Sequence, residues 1–219
     1  MKQGQVTEIV FILDRSGSMA GLESDTIGGF NSLLDKQKKE PGDAILSTVL
    51  FDDQCEVIHN RQPIRTVRHI TQEEYYVRGC TALLDAIGGA IQHIRRIHKH
   101  LKPEKRPDKT LLIITTDGME NSSRRFSYPQ IKRMVEHQKE KHGWEFLFLG
   151  ANIDAIATAK NFGIHSSRAV NYHSDPMGTQ LNYQVLGQTI SCLRESQPLS
   201  PSWKEEIELD YKKRKANTR

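Results

Sequence analysis

Hydrophobic positions along the chain follow two alternating patterns. Short continuous apolar runs, rich in β-branched residues, are separated by longer segments whose apolar side chains recur every three or four positions. The runs predict buried strands of a parallel sheet, and the periodic segments predict amphipathic helices. Strands are expected at 6–14, 44–51, 55–60, 109–116, 144–150 and 169–172, and helices at 22–39, 81–101, 128–142, 153–162 and 177–194.

This alternation predicts an α/β fold with a central sheet between two layers of helices. Right-handed crossovers between parallel strands make such a sheet doubly wound, with about six strands here. One strand is expected to run against the others. Asp52-Asp53-Gln54 predicts a tight turn, so 44–51 and 55–60 should form an antiparallel hairpin.

The C-terminal part of the chain has a different composition. Residues 1–197 are predicted to form one domain, and residues 198–219 a linker, a possible short helix and a basic tail. The sequence PLSPS at 198–202 is typical of a linker, whereas Trp203, Ile207 and Tyr211 recur every fourth residue, as in a docking helix.

Net charge is distributed unevenly. The chain has 31 Lys and Arg against 27 Asp and Glu, a formal charge of +4. Five of the basic residues, and no acidic residue, lie at 212–219, so residues 1–211 are almost neutral. Nucleic-acid association through this tail remains an alternative, because phosphate contacts need clustered positive charge. A second cluster ends the helix at 81–101 and is interpreted as a solvated helix end, with an acidic-partner or nucleic-acid patch left open: Arg95, Arg96, His98, Lys99, His100, Lys102, Lys105 and Arg106.

Features that bear on the compartment point to the cytoplasm. Cys55, Cys80 and Cys192 are odd in number and widely spaced, which argues against a disulfide framework and against structural zinc. The N-terminus shows no signal-peptide pattern, and no run of about 18 apolar residues predicts a membrane span.

Candidate chemistry lies where strands end. Ligands of open α/β sheets bind at the carboxyl ends of the strands. Three segments are expected there: Asp14 to Ser18, the loop around Thr81, and the turn at Asp117. Asp14, Ser16, Ser18, Thr81 and Asp117 together offer two carboxylates and three hydroxyls, which suit Mg²⁺, or Mn²⁺ and Ca²⁺.

Simpler roles are available to the same residue types. Ser16, Ser18 and Thr81 are also suited to capping helices, and Asp117-Gly118 to a plain turn. Asp52 and Asp53 are interpreted as turn residues, and Glu120 as solvent-exposed. The histidines at 93, 98, 100, 137 and 142 are interpreted as surface residues, because their spacing does not match a metal-binding pair.

These motifs match a family pattern. The D-x-S-x-S sequence at 14–18 resembles the metal-ion-dependent adhesion site (MIDAS) of von Willebrand factor type A (vWA) domains. Residues 79–83 resemble the family's G-G-T-x-L loop, with Cys80 replacing the second glycine, and residues 116–118 resemble its T-D-G element. The three motifs occur in the family's order over residues 5–195, and the chain is similar to small single-domain cytoplasmic members from bacteria and phages.

The resemblance implies a Rossmann-like fold with an antiparallel edge strand, and it implies roles for the site residues. Ser16 and Ser18 would bind the metal directly, and Thr81 would do so in a high-affinity state. Asp14 and Asp117 would bind directly or through water. A Glu or Asp carboxylate of a partner protein would complete the coordination.

The leading hypothesis is therefore a non-enzymatic, metal-dependent protein-binding module. No GxSxG, GxxxxGK[ST], GxGxxG or HExxH motif occurs in the sequence. A magnesium-dependent phosphoryl-transfer or hydrolytic enzyme is the alternative. It is disfavoured because position 16 is Ser, where an enzyme with a nucleophile at Asp14 would usually carry a second acid.

Overall fold

The computed structural model describes residues 5–217. Residues 1–4, part of the N-terminus used to predict the compartment, and residues 218 and 219 of the predicted tail lie outside this range. One sheet contains six strands in the order β3-β2-β1-β4-β5-β6, and β3 alone is antiparallel. Their bounds are β1 (Val6–Asp14), β2 (Asp43–Phe51), β3 (Cys55–Pro63), β4 (Lys109–Thr116), β5 (Glu145–Gly150) and β6 (Ala169–Asn171). The predicted fold class is confirmed.

Helices cover both faces of the sheet. Alternate side chains of β1 point to opposite faces, so Phe11 packs with Phe30 on one side and Ile12 packs with Ile87 on the other. The first face is covered by α1 and α5, and the second by α2, α3 and α4. The helices are α1 (Glu23–Lys39), α2 (Leu83–His100), α3 (Tyr128–His142), α4 (Ala155–Asn161), α5 (Pro176–Arg194) and α6 (Glu205–Asn217).

The strand register brings the carboxyl ends of the central strands to one edge. Asp14 is opposite Phe51 across β1 and β2, and Thr116 is opposite Gly150 across β4 and β5. The chain proceeds from β1 to β2 on one side and later adds β4 on the other side of β1. This change of direction is the switch point at which α/β sheets form a ligand crevice.

The C-terminal segment packs against the rest of the molecule. Ile207 of α6 is buried, and Leu199 in the predicted linker is also buried. The Trp203 Nε1–H donates to the Ser167 carbonyl at 2.9 Å, and Arg214 forms an ion pair with Asp175. Residues 212–217 of the predicted basic tail therefore belong to a helix, while independent folding of residues 1–197 stays a prediction.

The cysteines and the helices bear on the compartment of the protein. Cys55, Cys80 and Cys192 are free and exposed. Within residues 5–217, no helix is both long enough and apolar enough to cross a bilayer.

Candidate metal centre

The five predicted ligands meet in one hydrogen-bonded cluster at the carboxyl edge of the sheet. The Ser16 and Ser18 hydroxyl oxygens lie 3.2 Å apart. The Thr81 hydroxyl donates to Ser16 Oγ at 3.0 Å, and the Ser18 hydroxyl donates to Asp117 Oδ1. The loops after β1 and β4 and the loop before α2 thus converge, as their positions in the sequence predict.

Asp14 is held in place at the end of β1 by hydrogen bonds to both carboxylate oxygens. Oδ1 accepts from the Ser16 backbone N–H at 2.7 Å, and Oδ2 accepts from the Thr116 hydroxyl at 2.6 Å. The residue is 1% exposed. Burial raises the pKa of Asp14 to about 6, because these hydrogen bonds only partly offset desolvation and the nearby Asp117 charge adds to the increase. No ion pair to Asp14 occurs within residues 5–217.

Asp117 is positioned by a residue that the sequence motifs do not identify. It is buried directly after β4, and its Oδ2 accepts from the Ser174 hydroxyl at 3.0 Å. Ser174 lies between β6 and α5, at the same edge of the sheet. Its place after a strand and before the Asp175-Pro176 helix start is the signal that points to it in the sequence.

Gly118 leaves room for the hydroxyls. A Cβ at this position would lie 3.1 Å from Ser18 Oγ and 3.3 Å from Thr81 Oγ1. Contacts of that length would force the hydroxyls to shift, so a side chain at position 118 would disturb the cluster. The glycine of the T-D-G element is therefore required by packing around the site.

The hydroxyls of the cluster are not used to cap helices. Ser16 precedes a short 3-10 turn and Ala82 precedes α2, and neither helix start has a side-chain cap. Thr81 is instead fixed through its backbone: its N–H donates to Asn121 Oδ1 at 2.8 Å, and its carbonyl accepts from the Asn121 N–H at 3.0 Å. The capping interpretation of Ser16 and Thr81 is therefore wrong, and both hydroxyls point into the cluster.

Glu120 stabilises the start of α2. Its carboxylate accepts from the Leu84 N–H at 2.8 Å and from the Ser123 N–H at 2.7 Å. The residue is half-buried, so its interpretation as solvent-exposed is wrong. A carboxylate at the first turn of a helix satisfies free N–H groups and interacts favourably with the helix dipole. Glu120 therefore supports the Thr81 loop and does not act as a sixth donor.

A third buried carboxylate, Asp52, lies beside the two of the cluster. Asp52 Oδ2 is 2.8 Å from Arg15 Nε and 2.8 Å from Arg78 Nε. Burial alone would raise the pKa of Asp52, but hydrogen bonds from Arg78, the Gln54 N–H and Arg15 lower it below its ordinary value. Asp52 does form the hairpin turn, accepting from the Gln54 N–H at 2.7 Å, and its ion pairs are a further role that the sequence patterns do not show.

The donor set of the cluster is chemically selective. Two carboxylates and three hydroxyls are hard oxygen ligands, which suit Mg²⁺, Mn²⁺ or Ca²⁺. In the part of the chain that the structure describes, no group of three or more His, Cys, Asp or Glu side chains forms a metal site. A cation here would therefore depend on the serine and threonine hydroxyls as much as on the carboxylates. The residues present fit such an ion.

Comparisons with known proteins reveal similarity in structure only. No family model and no curated protein sequence matches the chain. Similar solved structures include proximal thread matrix protein 1 from the mussel byssus, with 14% identity, a TM-score of 0.59, and coverage of 87% of this chain and 47% of that one. A mutant PilB minor pilin from Streptococcus sanguinis has 13% identity and a TM-score of 0.59, and the match covers 90% of this chain and 64% of that one.

Two further solved structures bear on the fold and the site. A von Willebrand factor type A structure from Catenulispora acidiphila has 13% identity and a TM-score of 0.54, and covers 84% of this chain and 42% of that one. Another structure of the mussel matrix protein has a zinc-occupied MIDAS motif, at 16% identity and a TM-score of 0.58. The chain spans between 42% and 64% of the length of these proteins.

Proposed function

We propose that this chain, which has the von Willebrand factor type A fold, is a metal-dependent protein-interaction module. Asp14, Ser16, Ser18, Thr81 and Asp117 hold a divalent cation, and the cation binds a Glu or Asp carboxylate of a partner protein. Mg²⁺ is the proposed ion, and Mn²⁺ or Ca²⁺ would satisfy the same donors. One observation carries the proposal: two buried carboxylates, neither of them ion-paired within residues 5–217, share a cluster with three hydroxyls that cap no helix.

Each ligand has a proposed part. Ser16 and Ser18 bind the ion through their hydroxyls, and Thr81 joins them in a high-affinity state. Asp14 and Asp117 bind directly or through water, and both are oriented in advance by hydrogen bonds from neighbouring groups. The bound cation supplies an electrophilic centre for an incoming carboxylate. The zinc-occupied MIDAS of the mussel matrix protein supports a divalent ion in a fold of this type.

The surface around the cluster supports a protein partner. Ser18 is exposed, so the site opens to solvent at this point. Met119, two residues after Asp117, is 73% exposed, and Met177, three residues after Ser174, is 55% exposed. Methionine is enriched at protein interfaces because its flexible side chain adapts to different surfaces. Exposed methionines close in sequence to a polar, cation-holding centre suit a protein partner better than a small anion.

Hydrolytic or phosphoryl-transfer chemistry is less well supported. An enzyme with an aspartyl nucleophile at Asp14 would usually carry a second acid two residues further on. Ser16, not an acid, is the next inward-facing group. The basic tail gives little support to nucleic-acid binding, because Arg214 pairs with Asp175 and Asp210 and Lys215 lies over the Tyr211 ring.

We place the module in the cytoplasm. Cys55, Cys80 and Cys192 are free thiols, and exposed free thiols suit a reducing compartment. Metal-dependent capture of the partner, measured in reducing and in oxidising buffer, tests this point. Capture that requires an oxidised cysteine would contradict it.

The function can be tested by metal-dependent capture of a partner. Wild-type protein immobilised on beads should retain the partner in Mg²⁺ and release it on addition of EDTA, and D14N beads should not retain it. D53N is the matched control, because Asp53 is an exposed carboxylate near the same edge and should be dispensable. Replacing one acidic residue of the partner with Ala should abolish capture. Capture that survives EDTA or D14N would refute the proposal.

A further inference from the structure

A second polar groove lies at the opposite edge of the sheet, between the C-terminal ends of α2 and α3. Its volume is about 330 Å³. One wall comes from α2, the other from α3, and the floor from the start of β4. The lining residues that matter here are Arg95, Lys99, Arg106, Asp108, Gln138 and Trp144.

Positive charge dominates this groove. Arg95 and Lys99 are exposed and form no hydrogen bond or ion pair with another residue in the range 5–217. In the same range, the Arg106 side chain donates one hydrogen bond, to the Leu101 carbonyl at 3.2 Å. The one carboxylate, Asp108, already accepts from the Val6 N–H at 2.8 Å. The pKa of His142 in the same groove is lowered, first by burial and then by the charges of His137, Arg95, His98 and Arg106. Several cationic groups therefore converge with little to neutralise them.

A buried amide faces the same space. Gln138 is 1% exposed, and within the described residues its side-chain Oε1 has no hydrogen-bond partner. A buried polar group without a partner loses its hydrogen bonds to water on folding, so such groups usually contact a ligand or an ordered water. Rotation of the terminal amide would direct its N–H₂ donors at an anion as easily as its oxygen at a donor. Gln138 thus supplies an unused polar contact inside the groove.

A cavity with a mixed lining continues from the basic groove. This second cavity has a volume of about 360 Å³ and shares Arg95 and Gln138 with the first. Beyond them it is lined by three apolar side chains, Ile91, Phe126 and Met134, and by four polar ones, Gln92, Gln130, Arg133 and His137. The combined groove is therefore cationic at one end and has a mixed lining with an apolar strip at the other.

We propose that the combined groove binds a nucleoside phosphate. The phosphate lies against Arg95, Lys99 and Arg106, and the base lies against Ile91, Phe126 and Met134. Arginine pairs with phosphate through parallel hydrogen bonds, and the apolar side chains offer the base a surface shielded from water. The ligand is either a free nucleotide or a nucleotide within a single strand of nucleic acid. This site lies at the edge opposite the metal cluster and does not depend on the proposed function.

Neutralisation of helix dipoles does not explain the groove. A basic residue in the last turn of a helix interacts favourably with the negative end of its dipole, which is sufficient reason for Lys99. Arg106 belongs to no helix and follows α2 by several residues, and Arg95 lies more than one turn before the end of α2. Neither the cavity nor the unpartnered Gln138 amide follows from a dipole effect.

The test measures binding of ATP, inorganic phosphate and a fluorescein-labelled ten-nucleotide single-stranded RNA to the full chain. EDTA is present throughout, so that the metal cluster does not contribute. R95Q/R106Q is compared with the control K212Q/K213Q, which removes two exposed positive charges from α6. R95Q/R106Q should weaken ATP or RNA binding by at least about tenfold, because each lost phosphate contact involves a charged donor. The control should change binding by less than about twofold.

The probes also identify the source of the nucleotide. Equal affinity for ATP and RNA, with mutual competition, assigns the groove to free nucleotides. RNA binding that is much tighter, with a salt slope reduced in R95Q/R106Q, assigns it to single-stranded nucleic acid. Q138L should weaken binding without changing helix content. The proposal is overturned if no probe binds, if both double variants lose affinity equally, or if inorganic phosphate binds as tightly as ATP.

Discussion

Two buried aspartates at one edge of the sheet have opposite electrostatic surroundings. Asp14 ends β1 and is 1% exposed, while Asp52 follows the neighbouring β2 and is 0% exposed. Arg15 and Arg78 surround Asp52 and hold its pKa below the ordinary value, whereas hydroxyls and a backbone amide surround Asp14, whose pKa is raised to about 6. Asp52 has its cations within the chain. Asp14 forms no ion pair within residues 5–217, and this difference is why we propose Asp14, and not Asp52, as a metal ligand.

The position of Arg15 shows how its positive charge is kept away from the hydroxyl cluster at Asp14. Arg15 lies between Asp14 and Ser16 in sequence, yet its guanidinium points to Asp52 and is fully buried. Alternate residues of the D-x-S-x-S motif therefore face opposite sides. The positive charge that would compete with a metal ion is directed away from the cluster and neutralised by Asp52.

Removing the charge of Asp52 should have the largest effect on stability. D52N leaves the buried Arg15 without its main partner, and breaking a buried ion pair in this way costs about 3 to 5 kcal/mol. Urea unfolding monitored by circular dichroism should show that loss, and D53N should lie within about 0.5 kcal/mol of wild type. A loss below about 1 kcal/mol for D52N would mean that Glu56, at 2.9 Å from Arg15, is sufficient to compensate the Arg15 charge.

The corresponding change at Asp14 should have the opposite sign. Without metal, D14N should raise the free energy of unfolding at pH 7 by about 1 to 3 kcal/mol, because it removes a buried charge whose pKa is raised. The same variant should lose Mg²⁺ binding in calorimetry. Destabilisation of the metal-free protein by D14N would show that Asp14 is already compensated, and the contrast with Asp52 would fail.

Acidic pH should weaken metal binding through Asp14 but leave the Asp52 ion pairs intact. The folded-state pKa of Asp14 is raised to about 6, so a metal ion must displace a proton below that pH. Mg²⁺ affinity should therefore fall by about fivefold between pH 6 and pH 5.

The stability of the metal-free protein should change with pH in the opposite direction to its Mg²⁺ affinity. Asp14 binds more protons in the folded than in the unfolded state between pH of about 4 and 6, so its contribution to stability decreases as pH rises through that window. The unfolding free energy of wild type minus that of D14N isolates this contribution. A difference that does not change with pH would contradict the raised pKa.

Removing the outer arginine should have the smallest effect. The Arg78 side chain is 40% exposed, and Asp52 keeps Arg15 when Arg78 is replaced. R78Q should lower the unfolding free energy by about 0.5 to 1 kcal/mol and leave Mg²⁺ affinity unchanged. A loss as large as that of D52N would mean that Arg15 and Arg78 act as one unit.

The elements with clear local signals were predictable from sequence. The predicted bounds of β4 and α3 match the structure, because β4 is a continuous β-branched run and α3 begins with a Ser127–Gln130 capping box and ends at Gly143 with φ of 63°. The helix predicted at 153–162 is shorter, since Asp154 caps it by accepting from the Ala157 N–H. The third strand continues to Pro63, past a register shift that its polar sequence does not reveal.

The site was predictable to the extent that it follows from strand ends. Proximity of Asp14, Ser16, Ser18, Thr81 and Asp117 follows from short motifs after neighbouring strands, and the structure brings these residues together. Burial of Arg15 was not predictable, because it depends on a partner 37 residues away in sequence. The contact of Ser174 with Asp117 likewise depends on how β6 and β4 are placed in the sheet.

The most direct test of the account is an anomalous diffraction measurement on crystals grown with Mn²⁺. The account predicts one anomalous peak at the carboxyl edge of the sheet, within about 2.0 to 2.6 Å of the Ser16 and Ser18 hydroxyl oxygens. It predicts no peak beside Asp52, where Arg15 and Arg78 already supply positive charge. Absence of a peak at Ser16 and Ser18, or a peak at Asp52 in its place, would contradict the central claim.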